Sequence, residues 1–112
     1  MSAGVLKERL RADLKAAMRA RKSSEVGVIR TLIAAIDNAE AVPIEGFQER
    51  LRQREFIGEV TRRELDAAAL DAVLTAETQS RLAAADDYER NGRADEGARL
   101  RSEADLIARY RG

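Results

Sequence analysis

Leu6, Leu10, Leu14 and Met18 recur every four residues, with Ala17 beside them, through a segment without Gly, Pro or β-branched residues after Val5. An apolar row at that spacing is one side of an amphipathic helix, which folds stably only against a partner surface. Val28, Ile29, Leu32, Ile33 and Ile36 repeat the pattern at spacings of three and four, predicting a second helix over 25–40 despite Gly27. Ser23 and Ser24 lie between the two, where a serine side chain can accept from the free amides of an opening helix. The two helices are expected to form an antiparallel hairpin.

Pro43 and Gly46 break the pattern, and 41–65 shows no clean period beyond a short helix expected over Phe47 to Glu55. Asp66 is an N-cap candidate for the Ala67 to Ala69 turn. Leu70, Val73, Leu74, Leu82, Ala85 and Tyr88 outline a long helix ending at Asn91-Gly92, where glycine suits the left-handed conformation that closes helices. A last helix is expected over Ala94 to Tyr110, with Leu100, Ile107 and Tyr110 facing inward. The expected fold is all-α: a small multi-helix domain of about four helices, beginning with the hairpin. At 112 residues the chain suits one apolar core, so 1–112 reads as a single domain with 41–65 as an irregular connector. Aromatics are 4% of residues, so helices should pack through aliphatic ridges.

Histidine and cysteine are both absent, which removes the usual zinc ligands, the usual neutral-pH general base and the Ser-His and Cys-His nucleophile arrangements. The glycines, at 4, 27, 46, 58, 92, 97 and 112, form neither dinucleotide nor P-loop fingerprint. Asp86, Asp87, Glu89, Asp95 and Glu96 gather around Gly92, where hard oxygen ligands can in principle hold Mg²⁺ or Ca²⁺. Their spacing fits no recognised loop, and a solvated turn at a helix start explains them. No catalytic residue, cofactor or metal is therefore expected. No stretch approaches the ~18 apolar residues of a membrane span, and a cytoplasmic location is expected.

The formal net charge is zero, but residues 1–22 carry seven basic and two acidic side chains, net +5, and residues 66–112 seven basic and ten acidic, net −3. Lys7, Arg11, Lys15 and Arg19 follow one another at i,i+4, and Arg21 and Lys22 extend the row. Like charges at that spacing oppose helix formation by a few tenths of a kcal/mol per pair. RNA phosphates would compensate them, with salt-sensitive affinity; so would acidic side chains packed alongside, or plain solvation. With two Tyr and two Phe and none interleaved among the cations, a base-stacking platform is disfavoured, and backbone shape is the readout expected of any RNA. Arg50, Arg52, Arg54, Arg62 and Arg63 add positive charge, but Glu49, Glu55, Glu59 and Glu64 interleave with them.

Leu6-Lys7-Glu8-Arg9-Leu10, Asp13-Leu14-Lys15-Ala16-Ala17-Met18 and Ala20-Arg21 resemble the opening helix of the GatB/YqeY family. Val28-Ile29-Arg30, Leu32, Ala34-Ala35-Ile36 and Asn38-Ala39-Glu40 are similar to its second helix. Arg63-Glu64-Leu65, Val73 and Leu74, then Arg81, Ala84, Tyr88, Gly92-Arg93 and Glu103 to Tyr110, continue the likeness in order. The family's usual form runs past the final Tyr into Leu-Pro and a second small helical domain. Here Arg111-Gly112 follows instead, as in a natural short form or a chain cut at the interdomain linker, so functions of that second domain are not carried over.

The resemblance implies a bacterial accessory domain without catalysis of its own, related to the tRNA-engaging region of the B subunit of glutamine-dependent tRNA amidotransferase. The expected partners are tRNA or an amidotransferase protein, with Lys7, Arg11, Lys15, Arg19, Arg21 and Lys22 as phosphate contacts. A protein-interaction module docking through Phe47, Phe56 and Ile57 is the alternative. Carbon–nitrogen ligase activity with glutamine as amido donor, which the family naming suggests, is the third reading.

Overall fold

A computed structural model describes residues 1–41 and 64–111. The short helix expected over Phe47 to Glu55, the docking residues Phe47, Phe56 and Ile57, and the connector's charges up to Arg63 lie outside the described residues. Four helices are present among the described ones: α1 Ala3–Arg19, α2 Ser23–Glu40, α3 Ala67–Arg90 and α4 Ala94–Ala108, followed by a 3₁₀ turn, Arg109–Arg111. The chain is all-α, as its periodicity predicts.

Ser2 opens α1, its hydroxyl accepting from the Val5 amide at 3.1 Å. Ala3, Leu6, Leu10 and Ala17 are buried, but Leu14 is half-buried and Met18 is 50% exposed. The expected four-residue row thus leaves the core as it climbs. An α-helix turns about 100° per residue, so each i,i+4 step rotates the row by about 40°. By Met18 the row has rolled out of the interface, and Ala17 takes the inward position.

The connection to α2 differs from expectation. Neither serine caps it: Lys22 is the N-cap residue and makes no side-chain cap bond, while Ser23 is already helical. The end of α1 decides this. The Arg21 amide donates to the Met18 carbonyl and the Lys22 amide to the Ala17 carbonyl, with Arg21 in the left-handed region at φ 56°. This Schellman closure turns the chain so sharply that α2 restarts at once, placing both serines inside its first turn. Val28, Ile29, Leu32 and Ile36 then face α1 and the core. The two helices pack as the expected antiparallel hairpin.

Asp66 caps α3, accepting from the Ala69 amide at 2.7 Å. The helix ends as the sequence suggests: Gly92 is left-handed at φ 75°, its amide donates to Glu89, and the Arg93 amide donates to Tyr88. Both hairpins therefore close with the same motif. Leu70 and Leu74 join Ile107 and Tyr110 in the core, whereas Val73 and Leu100 are half-buried and Leu82 is 36% exposed. Among the described residues only α3 and α4 remain towards Gly92, and their seam is made of small buried residues, Ala85, Gly97 and Ala104, outside the main core cluster. A two-helix arm cannot bury a leucine as a four-helix core does. Arg81 ties the arm together, bonding Glu77 within α3 and Glu103 of α4. No helix among the described residues is long and apolar enough to cross a membrane.

Tyr110 closes the base of the structure. It is 5% exposed, its hydroxyl donates to Asp13 Oδ2 of α1 at 2.5 Å, and the Arg9 guanidinium lies 4.7 Å from its ring centroid. Burial, and then the bond to the Asp13 carboxylate, push its phenol well above the usual range. Arg111 adds a bond to Asp71 of α3 at 3.1 Å.

Candidate nucleic-acid interface

The six cations singled out by spacing do not share one environment. Lys7 lies beside the core face of α1, its ammonium 2.6 Å from Glu40 and 3.2 Å from Asp37, both at the far end of α2. Its side chain is 15% exposed. The bond to Glu40 foremost, opposed by desolvation and aided by Asp37, raises its pKa. Lys7 clamps the hairpin and is not presented to solvent. The rotation that exposes Met18 is the reason: the same row that leaves the core at one end begins next to it at the other.

Arg11, Lys15 and Arg19 lie progressively further round α1, and Arg21 and Lys22 occupy the turn. All five are exposed, and none has an ion-pair partner among the described residues. Arg30 of α2 is a further such cation, absent from the sequence-based set. Its signal was its place in the Ser23, Val26, Gly27, Arg30 stripe, which falls on the side of α2 away from Val28, Ile29, Leu32 and Ile36.

The other end of the molecule is organised differently. Arg101 bonds Glu89 and Asp86, Arg90 pairs with Asp87, Arg93 and Arg99 pair with Glu96, and Arg99 also bonds Glu103. Arg101 holds the Glu89 carboxyl below the usual carboxylate range. The Arg93 guanidinium also sits 5.3 Å from the Tyr88 ring centroid. Four of the five carboxylates considered as metal ligands, Asp86, Asp87, Glu89 and Glu96, are thus engaged by arginines, and no group of three or more His, Cys, Asp or Glu among the described residues is placed to hold a metal ion.

Charge is therefore segregated by pairing as well as by count. On α3 and α4 arginines are matched within a few ångströms; on the α1–α2 turn they are not. Those cations also adjoin the first turn of α2, whose opening amides lack a side-chain cap and add positive potential.

Fold and surface together define a class: a small all-α domain of two helical hairpins with a solvent-facing cationic ridge on the first. The chain belongs to the YqeY-like protein family, whose model matches residues 7–111. That match includes α2, α3, α4, the 3₁₀ turn and the whole ridge. A search among curated proteins returns no match.

Proposed function

We propose that this domain is a non-catalytic accessory module that binds the sugar-phosphate backbone of a structured RNA, with tRNA as the substrate class suggested by the GatB/YqeY resemblance. The observation that carries the reading is the row Arg11, Lys15, Arg19, Arg21 and Lys22, exposed and without ion-pair partners among the described residues, in a protein whose α3 and α4 arginines are largely paired. Both Tyr rings are covered by arginines, which favours contacts to phosphate over base stacking.

If all five cations neutralise phosphates, log affinity falls against log salt with a slope of about −4. Fluorescence anisotropy of labelled tRNA at two salt concentrations measures it. The double variant Lys15→Glu and Arg19→Glu should weaken binding at least tenfold at low salt, about 1.4 kcal/mol, and leave Tm unchanged. Equal binding by wild type and variant rules the surface out. A contact with an amidotransferase protein is supported by a groove between α1 and α4, floored by Ala17, Ile29 and Leu106; pull-down of such a subunit without RNA favours that reading. Ligase chemistry has no supporting geometry among the described residues.

A further inference from the structure

One stripe of α2 runs along the edge of the core, where half-buried Val26 packs against it and its neighbours Ser23, Gly27 and Arg30 are exposed. Ser23, Val26, Gly27 and Arg30 fall three, four and seven residues apart, and with Met18 and Arg21 across the turn they surround an open concavity of ≈ 430 Å³. Its lining is of two kinds. Met18, half exposed, and Val26, half-buried, make an apolar floor. Arg21 and Arg30 are exposed guanidiniums with no ion-pair partner among the described residues. At Gly27 an added Cβ would meet nothing within 4 Å, so the floor is open down to the backbone.

An exposed thioether that lines one concavity with two guanidiniums matches a ligand that carries a flat ring next to an anion. Sulfur–ring contacts are favourable, and phosphate is the anion a guanidinium binds bidentately. The concavity continues the ridge, since Arg19 and Lys22 flank Arg21. A strand tracked along Arg11, Lys15 and Arg19 arrives at its rim with a phosphate already in place.

We propose that this concavity is a subsite for one unpaired nucleotide, its base on Met18 and Val26 and its phosphate on Arg21 and Arg30, within an RNA whose backbone lies on the α1 ridge. The proposal rests on the RNA reading above. It adds a preference that backbone binding alone lacks: structured RNA with an extrahelical nucleotide over a fully paired helix.

The test uses two RNA hairpins identical but for one bulged adenosine, titrated against the full chain by anisotropy. The bulged hairpin should bind roughly threefold to tenfold tighter, the scale of one sulfur–ring contact. Gly27→Leu, which fills the concavity from its floor and improves helix propensity, should erase that ratio and keep the affinity for the paired hairpin. Met18→Ser should do the same by removing the thioether from the apolar floor. Equal binding of both hairpins by wild type overturns the subsite and leaves the backbone reading standing; no binding of either overturns both. A ratio that survives Gly27→Leu and Met18→Ser also overturns the subsite. Displacement of the bulged hairpin by micromolar free adenosine monophosphate, or by a Met-containing glutamate-rich peptide, overturns the assignment to an RNA nucleotide.

Discussion

Replacing Arg21 with glycine should make the protein more stable and a poorer RNA binder. Arg21 is left-handed at φ 56°, at the position of the first hairpin's closure that Gly92 occupies in the second. A side chain in that conformation costs about 1–2 kcal/mol, and the larger unfolded-state entropy of glycine returns about 0.4–1 kcal/mol of the relief. The net gain is about 0.5–1 kcal/mol, a rise in Tm of about 2–5 °C for a domain of this size. Gly92→Ala is the mirror experiment. A Cβ there meets nothing within 4 Å, so its cost is conformational alone, about 1 kcal/mol. Thermal melts followed by circular dichroism read both, and tRNA anisotropy reads the loss of one phosphate contact as a salt slope reduced by about 1. A lower Tm for Arg21→Gly at unchanged helix content refutes the strain argument; an unchanged slope removes Arg21 from the interface. If both expectations hold, the turn keeps a strained residue where its charge is used.

Tyr110→Ala should cost about 3–5 kcal/mol by emptying a core position, and Tyr110→Phe about 1 kcal/mol through the lost bond to Asp13; urea denaturation separates them. Since the folded phenol titrates above its unfolded value, the unfolded chain loses that proton first and stability falls as pH rises past about 10. Tyr110→Phe should flatten part of this alkaline decline and leave the part due to Lys7, whose raised pKa acts in the same direction. At Gly97 an added Cβ would lie 2.6 Å from Glu89 Cγ, so Gly97→Ala should push Glu89 off Arg101 and be neutral or destabilising by about 1 kcal/mol. With Glu89→Ala already present the same change should stabilise by about 0.5–1 kcal/mol through helix propensity. A double-mutant cycle without that change of sign counts against a close contact.

The helices were legible because their stripes are local: Leu6 and Leu10, Ile29 and Ile36, and Leu70 and Leu74 announce buried faces through spacing alone. Asp66 and Gly92 were readable for the same reason, each supplying a short-range chemical need. Less legible was anything set by the cumulative rotation of a helix. A constant spacing of four linked Lys7 to Arg19 in the sequence, yet the helical twist turns Lys7 towards Glu40 and Arg19 towards solvent. The start of α2 is not legible because propensity does not mark an arginine as left-handed; that conformation comes from closing α1. Nothing local singles out Arg30, because its company, Met18 and Arg21, belongs to another helix and its turn. The partial exposure of Leu82 and Leu100 reflects a property no local pattern carries, that among the described residues this stretch of α3 and α4 has only the other helix of its hairpin beside it.

The bond from Tyr110 to Asp13 joins residues 97 positions apart in sequence. During synthesis from the N-terminus, α1 emerges well before the ring that completes its packing, which follows Asp13 by 97 residues. The first hairpin can form early from neighbouring contacts, but its interface with Tyr110 waits for α4, and until then the surface near Asp13 and Ala17 is open to a chaperone or to self-association. One side chain thus sets the time at which the packing around Asp13 is completed.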